Sequence, residues 1–386
     1  MNVYIAADNI VSPLGFTSDE NFERLKQMET GVKLISGSSL SVEDVFASVI
    51  DDEQLEKEFQ KLHAGQEYTK LEKMVLLSVT DALKQNKNID ITSSKTLIIL
   101  STTKGNIDLL GKEEGNRFDK KRVYLWETAN VIGKYFNNPN QPVVISNACV
   151  SGVLAIITGK RLLEEGNYDT MVVAGVDIMT HFVVSGFQSF KAVSNEIAKP
   201  YDASRNGISL GEGCGTVILT NDKQKVDNLE MKIKVMGGAS SNDANHISGP
   251  SRTGDGLLLA IEKTLKDSGV TASEIDYISG HGTATIFNDD MESLAVTDAK
   301  LAEVPMNSLK SYFGHTLGAA GVIESIVGIH SMRKSMLIGT YNFKELGVTA
   351  PINIIRDTKE LEITNCLKTA AGFGGCNAAV LFQKEN

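Results

Sequence analysis

The chain predicts an α/β protein in which helices cover parallel sheets, organised as two similar halves. Two observations carry this. Short β-branched apolar runs alternate along the whole chain with stretches whose apolar residues recur at helical spacing, the pattern of repeated βαβ units. Strand and helix also succeed one another in a similar order on either side of the polar, aperiodic run Thr220–Glu230 (TNDKQKVDNLE). That run reads as a linker, so halves 1–225 and 226–386 are expected, and 386 residues suffice for about two domains.

The elements follow in order. Met1–Ala7 is apolar and β-prone, and Ser12-Pro13-Leu14-Gly15 turns it into a helix near Ser18–Met28. Asp51–Asn88 is rich in Lys, Glu and Gln with Leu71, Met74, Val75, Val79 and Leu83 at helical spacing, and predicts two exposed helices. Leu97–Leu100 is a buried strand closed by Ser101-Thr102-Thr103-Lys104-Gly105, and Gly111–Arg122, charged and aperiodic, is a surface loop. Thr128–Phe136 is helical, and Met171–Val176 and Gly213–Leu219 are core strands. In the second half, strands are expected at Lys232–Met236, Tyr277–Ser279, Pro305–Asn307, Ile352–Ile354 and Ala378–Gln383, with helices at Gly256–Ser268, Asp289–Asp298 and Gly318–Met332.

Hydrophobic content of 42% and charged content of 22% are ordinary for a globular protein. A formal charge of -10 argues against a general nucleic-acid binder, which needs a basic face. The four cysteines (Cys149, Cys214, Cys366, Cys376) are widely spaced without a CxxC pair. With no signal-like start, a reduced cytoplasmic setting is expected. No apolar run approaches the ~20 residues of a membrane span.

The most informative stretch is Val143–Ile156, VVISNACVSGVLAI. A β-branched run stops at Ser146-Asn147, and small residues with Cys149 then open a helical pattern. A thiol at a helix start faces unpaired N–H groups and the positive end of the dipole, which favour thiolate. On position alone the same residue also reads as a buried cysteine filling a core, the commoner role of this residue type. Three later segments offer partners: Ser279-Gly280-His281-Gly282-Thr283-Ala284-Thr285, Ser308–Gly321 with Lys310 and His315, and the glycine turn Gly372-Phe373-Gly374-Gly375-Cys376-Asn377. Each histidine alone reads as a structural residue, and GFGG as a β-turn. GHTLGAAG lacks the GxGxxG spacing of a dinucleotide loop. Both histidines nevertheless sit beside glycines directly after apolar strands, where ligand-facing groups cluster in α/β sheets.

From Asn2 to Phe382 the chain resembles a β-ketoacyl-[acyl-carrier-protein] synthase of the elongating Cys-His-His type, among the thiolase-fold condensing enzymes. The motifs that carry the resemblance are ACxSG at Cys149, GHGTxT at His281, Lys310–His315 through GHTLGAAG, and GFGG at Phe373. It implies a thiolase-like fold with a layered α-β-α-β-α architecture. By the same resemblance Cys149 is the acyl-accepting nucleophile, His281 and His315 face the extender thioester, and Lys310 and Glu324 support the histidines. The backbone N–H groups of Cys149 and Phe373 form an oxyanion hole. Thr283 and Thr285 hold the pantetheine arm, Phe373 gates the pocket, Gly374 beside it belongs to the substrate-binding set, and Phe187, Ile208, His246 and Ser248 line the pocket. Lys191, with Lys70 and Lys73, falls at carrier-docking positions. The partners implied are an acyl carrier protein, which brings its own phosphopantetheine, and a second subunit, either a copy of this chain or a related one, paired through the strand near Pro142–Ser146. No metal or other cofactor is implied.

The expected chemistry is decarboxylative Claisen condensation, in which an acyl group on Cys149 is extended by two carbons from malonyl carrier protein, in fatty acid, polyene or other polyketide synthesis. Two departures keep alternatives open. Cys376 follows GFGG where a polar residue such as Thr is usual, which keeps open a CoA-dependent biosynthetic thiolase with a second cysteine as acid/base, although His315 and the GHGTxT segment fit the decarboxylating branch better. Lys104 stands where an apolar pocket residue is usual, and a charge there would shorten or repolarise the acyl pocket. A chain-length-factor-like partner subunit is the third reading, opposed by Cys149.

Overall fold

The protein is described by a computed structural model covering residues 1–111, 117–246 and 249–385. Five strands form the first half of the main sheet: β1 (Tyr4–Val11), β2 (Thr96–Ser101), β3 (Val143–Ile145), β4 (Thr170–Asp177) and β5 (Gly213–Thr220). Five more form the second: β6 (Ile233–Asn242), β7 (Tyr277–Ser279), β8 (Met306–Asn307), β9 (Asn365–Gly372) and β10 (Cys376–Lys384). The spatial order is β8-β7-β9-β10-β6-β1-β5-β4-β2-β3. Each half therefore repeats one topology, with its first strand innermost, and the halves join where Tyr4 of β1 meets Lys234 of β6.

Neither half is wholly parallel. β2 runs parallel to β3 and β4, and β7 to β8 and β9. The last two steps of each half, β4–β5–β1 and β9–β10–β6, are antiparallel. This corrects the expected parallel sheets, and the reason is local: β9 and β10 are joined by a glycine hairpin that pairs Gly372 with Cys376, far too short for a parallel crossover. The expected strand Ile352–Ile354 is reduced to one bridge between Ile354 and Met306.

The helices are α1 (Ser18–Lys26), α2 (Asp52–Gln60), α3 (Lys70–Gln85), α4 (Leu125–Tyr135), α5 (Ser151–Glu164), α6 (His181–Ser189), α7 (Asp255–Ser268), α8 (Ile286–Asp298), α9 (Lys310–Phe313) and α10 (Ala320–Lys334). α3 covers β1, β4 and β5, and α7 covers β6 and β10 on the outer face of the other half. α5 and α10 pack against each other and touch strands of both halves, so they form the middle layer of an α-β-α-β-α stack. Burial on all sides explains why α10 carries no amphipathic stripe: every residue from Ala320 to Met332 is buried. α3 also departs from the expected exposed helix, because Leu71, Met74, Val75, Leu76 and Val79 sit in the core beneath it.

The two central helices cross at glycine. A Cβ on Gly152 would lie 2.7 Å from the Val322 amide nitrogen and 2.9 Å from Gly321 Cα, so only hydrogen fits. This crossing brings the N-terminal ends of α5 and α10 together, and the site is built there. Among the described residues no helix is long and apolar enough to cross a membrane.

Candidate active site

Cys149 sits between β3 and α5. Ser146 and Asn147 leave the strand exposed, and Ala148 takes a left-handed conformation (φ 44°), a strained choice for a residue with a Cβ. Ser151 holds the elbow: its hydroxyl donates to the Ala148 carbonyl at 2.6 Å and accepts from the Asn147 N–H at 2.8 Å. The glycine hairpin closes over the thiol. A Cβ on Gly372 would lie 3.1 Å from the Cys149 nitrogen, and the Phe373 N–H hydrogen-bonds toward the sulfur. The Cys149 and Phe373 amides are therefore neighbours.

The charge state of this thiol differs from the expectation. Burial pushes the Cys149 pKa up to about 11, against the opposing pull of Lys310, the Phe373 N–H and Lys104. Desolvation outweighs the helix start, and the resting nucleophile is a thiol rather than a thiolate.

His281 follows β7 and is fixed through its backbone. Glu292 of α8 accepts the His281 and Gly282 N–H groups at 2.8 Å each, and Asp289 accepts those of Thr283 (2.9 Å) and Ala284 (3.1 Å). His315 precedes α10, and its Nδ1 accepts from the Leu317 N–H at 3.2 Å, which leaves the proton on Nε2. The rings stand edge to face with centroids 5.4 Å apart. Burial first, then the Lys310 ammonium, holds both imidazoles well below the usual histidine range, so both are neutral. Behind them Lys310 pairs with Glu324, whose second oxygen pairs with Lys368 at 2.7 Å.

Cys149, His281 and His315 open into one pocket of about 330 Å³, which Thr283, Thr285, Phe187, Ile208 and Phe373 also line. The Thr283 and Thr285 hydroxyls lie 2.8 Å apart, and the Phe187 ring stacks on Phe373 with centroids 5.6 Å apart. Lys191 is exposed and borders the pocket. Gly374 turns away, its carbonyl accepting from Asn242 at 2.8 Å. His246 is exposed and does not line the pocket, although Gly249, whose N–H donates to its Nδ1 at 3.2 Å, does. Ser248 lies outside the described residues.

Lys104 is likewise exposed and off the pocket lining, its backbone N–H bonded to Asp177 at 3.2 Å. Lys70 is not an outward charge: it turns onto Glu212 (2.6 Å) and Asp52 (2.7 Å). Lys73 is largely covered and pairs with Glu56 at 2.5 Å. Cys376 also stays out of the pocket, donating to the Asn147 side chain at 3.1 Å and so tying the hairpin to the elbow. Residue patterns gave no sign of Glu292, Asp289 or Lys368. The last could have been suspected as a lone charge inside the apolar strand NCLKTAAG.

These features define a condensing-enzyme site. The chain matches the family model "Beta-ketoacyl synthase, N-terminal domain" over residues 2–225 and "Beta-ketoacyl synthase, C-terminal domain" over 233–344, and it belongs to the β-ketoacyl synthase family. It is an acyltransferase-class condensing enzyme of fatty acid or polyketide synthesis. Among curated relatives, a putative mitochondrial 3-oxoacyl-[acyl-carrier-protein] synthase of Schizosaccharomyces pombe is 28% identical over 99% of each chain. 3-Oxoacyl-[acyl-carrier-protein] synthase 2 of Rhizobium meliloti is 34% identical over 64% of this chain and 61% of the relative. In fold, a ketosynthase solved in complex with its chain length factor, from Xenorhabdus doucetiae, superposes with a TM-score of 0.88 at 24% identity over 100% of this chain and 98% of that one.

Proposed function

We propose that the enzyme loads an acyl group onto Cys149 and condenses it with the carbanion released from malonyl carrier protein. The observation that carries this is the convergence of one thiol, two neutral imidazoles and two adjacent backbone amides on a single pocket. In loading, Cys149 sulfur attacks the carrier thioester, its proton leaves with the pantetheine thiol, and the Cys149 and Phe373 N–H groups receive the transient oxyanion. In extension, the C–C bond to the malonyl carboxylate breaks, CO₂ departs and its electron pair becomes an enolate. His315 meets that oxygen with Nε2–H. His281 does the same, since its Nδ1 is buried without a hydrogen-bond partner among the described residues and an orphaned acceptor costs less than an orphaned donor. The enolate carbon then attacks the acyl thioester, and Cys149 leaves as thiolate and regains a proton.

The partner in this reading is an acyl carrier protein docking beside Lys191, which brings its own phosphopantetheine, so the chain needs no cofactor. Strand β3 has one edge unpaired among the described residues, which supports assembly with a second copy or a related subunit through that strand. Four free cysteines support a reducing, cytoplasmic setting. The repeated strand order supports a division near residue 225. The position of Cys376 outside the pocket lining weighs against the thiolase alternative.

Intact-protein mass spectrometry with a panel of acyl-carrier thioesters tests the assignment. One acyl adduct on wild type, absent from Cys149→Ala, and a β-ketoacyl product on adding malonyl carrier protein are expected. An adduct that persists in Cys149→Ala would sink it.

A further inference from the structure

The mechanism above leaves a buried lysine behind the histidines unused. Lys368 lies in the middle of β9, fully buried: its ammonium donates to the Ser279 carbonyl at 3.1 Å and the Gly280 carbonyl at 2.9 Å, and it pairs with Glu324 Oε2 at 2.7 Å. The two carbonyls belong to the residues immediately before His281. Glu324 binds Lys310 through its other oxygen, which makes a row of two cations about one anion directly behind the imidazoles.

Burying a lysine costs several kcal/mol that a neutral side chain would avoid. With Lys310 and Glu324 alone the row would be neutral. Lys368 adds a second cation to it, and a further anion, Glu292, also faces Lys368 while accepting the His281 and Gly282 N–H groups. The charged and titratable groups facing it are Glu324 on α10, Lys310 on α9, Glu292 on α8, His281 and His315, and Cys366 on its own strand. Burial holds the Lys368 pKa below the ordinary lysine value, with Lys310 adding to the effect and Glu324 opposing it, and two carbonyls and a carboxylate are the surroundings of an ammonium.

Resting on the malonyl decarboxylation proposed above, we propose that Lys368 is a positioning residue for that half-reaction: it fixes the His281 peptide through two carbonyls and, across Glu324 from Lys310, supplies a second cation behind the imidazoles on the side of the developing oxyanion. Decarboxylation creates no charge but moves it, from the departing carboxylate to the thioester oxygen beside the histidines. A fixed cation behind the imidazoles favours the second location. It also disfavours imidazolium, which keeps a proton off His315 Nδ1, where Leu317 donates. Acyl loading makes no such demand on the histidine side.

The test compares wild type with Lys368→Gln, which keeps N–H donors and drops the charge, and Lys368→Met, which drops both. Three readouts are needed: acyl loading of Cys149 by mass, CO₂ release from malonyl carrier protein, and the ¹⁵N ring shifts of His281 and His315 against pH. Loading is expected within about twofold of wild type, with CO₂ release lowered ~10-fold in the Gln variant and ~100-fold in the Met variant. Both imidazoles should become protonated at higher pH than in wild type. Gln restoring CO₂ release fully, with unmoved histidine titrations, would make Lys368 merely structural and overturn the role; because Gln keeps the donors, it carries the test even where Met fails to fold. Wild-type enzyme that loads but releases no CO₂ overturns the proposed function itself, a different outcome from unaltered release in Lys368→Gln.

Discussion

Gly152 and Gly321 hold the two half-reactions in register, and a single methyl group between them should uncouple the halves. The Cβ of Gly152→Ala would sit 2.7 Å from the Val322 nitrogen, 2.9 Å from Gly321 Cα and 3.0 Å from the Gly318 carbonyl, all backbone atoms that no rotamer change can clear. Ordinary contact begins near 3.4 Å, so the helices must part by about 0.7 Å. Overpacking of this kind costs roughly 1–3 kcal/mol. Cys149 precedes the first turn of α5 and His315 the first turn of α10, so parting the helices moves the acyl thioester away from the enolate. A displacement approaching 1 Å at reacting atoms costs up to ~10²-fold.

Loading depends on the elbow and the hairpin, and decarboxylation on the histidines, so each alone should fall far less than the condensation that joins them. The assay follows acyl-Cys149 by mass, CO₂ release and β-ketoacyl product in Gly152→Ala, with Gly65→Ala as a control, since nothing lies within 4 Å of a methyl there. Wild-type condensation in Gly152→Ala, or an equal loss in all three measurements, would refute the reasoning.

Four further outcomes are expected. Since burial holds the Cys149 pKa near 11, alkylation by iodoacetamide should accelerate about tenfold per pH unit between roughly pH 7 and 10, and a plateau below pH 8 would contradict the buried thiol. Cys376→Ser keeps a donor to Asn147 and should condense within about twofold of wild type, whereas a ~10³-fold loss would revive a thiolase-like acid/base role. Burial alone would raise the Asp8 pKa, but His330 (2.8 Å) and Arg333 (2.5 Å) hold it well below the carboxylate range. Its stabilisation is therefore present above the unfolded value of 3.8 and lost as pH falls through the acid range, so Asp8→Asn should cost about 3 kcal/mol in urea unfolding at pH 7 and progressively less in acid. Lys191→Glu should raise KM for carrier-linked acyl substrates in a salt-sensitive way and leave short pantetheine thioesters unaffected, and an unchanged carrier KM would move docking to another face.

What the sequence made legible follows from the range of each signal. Strand β7 was bounded correctly at Tyr277–Ser279 because an apolar Tyr-Ile pair ending at Ser-Gly is a local pattern. The elbow at Cys149 was legible for the same reason, as was the glycine hairpin. The sheet direction was not, because parallel and antiparallel core strands carry the same apolar runs and only the length of the connection separates them. The burial of α3 was missed because its three lysines, Glu72 and Asp81 suggested water. Lys70 and Lys73 meet Glu212 and Glu56 instead, partners far away in the chain or on the neighbouring helix.

The two largest revisions at the site share one cause. A helix start was expected to make Cys149 a thiolate, and a lysine in an apolar strand passed unnoticed; in both cases the deciding quantity is how much water reaches the group. Composition and periodicity record which residues alternate, not which charges meet between α9, α10 and β9. Desolvation raises the thiol and lowers the imidazoles at once, so the same dry interior that delays ionisation of Cys149 keeps His281 and His315 as neutral donors. A site drawn into water would gain a readier thiolate and lose those donors. Loading can supply what the thiol lacks, because the departing pantetheine takes the proton, whereas nothing in decarboxylation could remove a proton from a misplaced imidazolium nitrogen. The arrangement therefore favours the extension half-reaction over the readiness of the nucleophile.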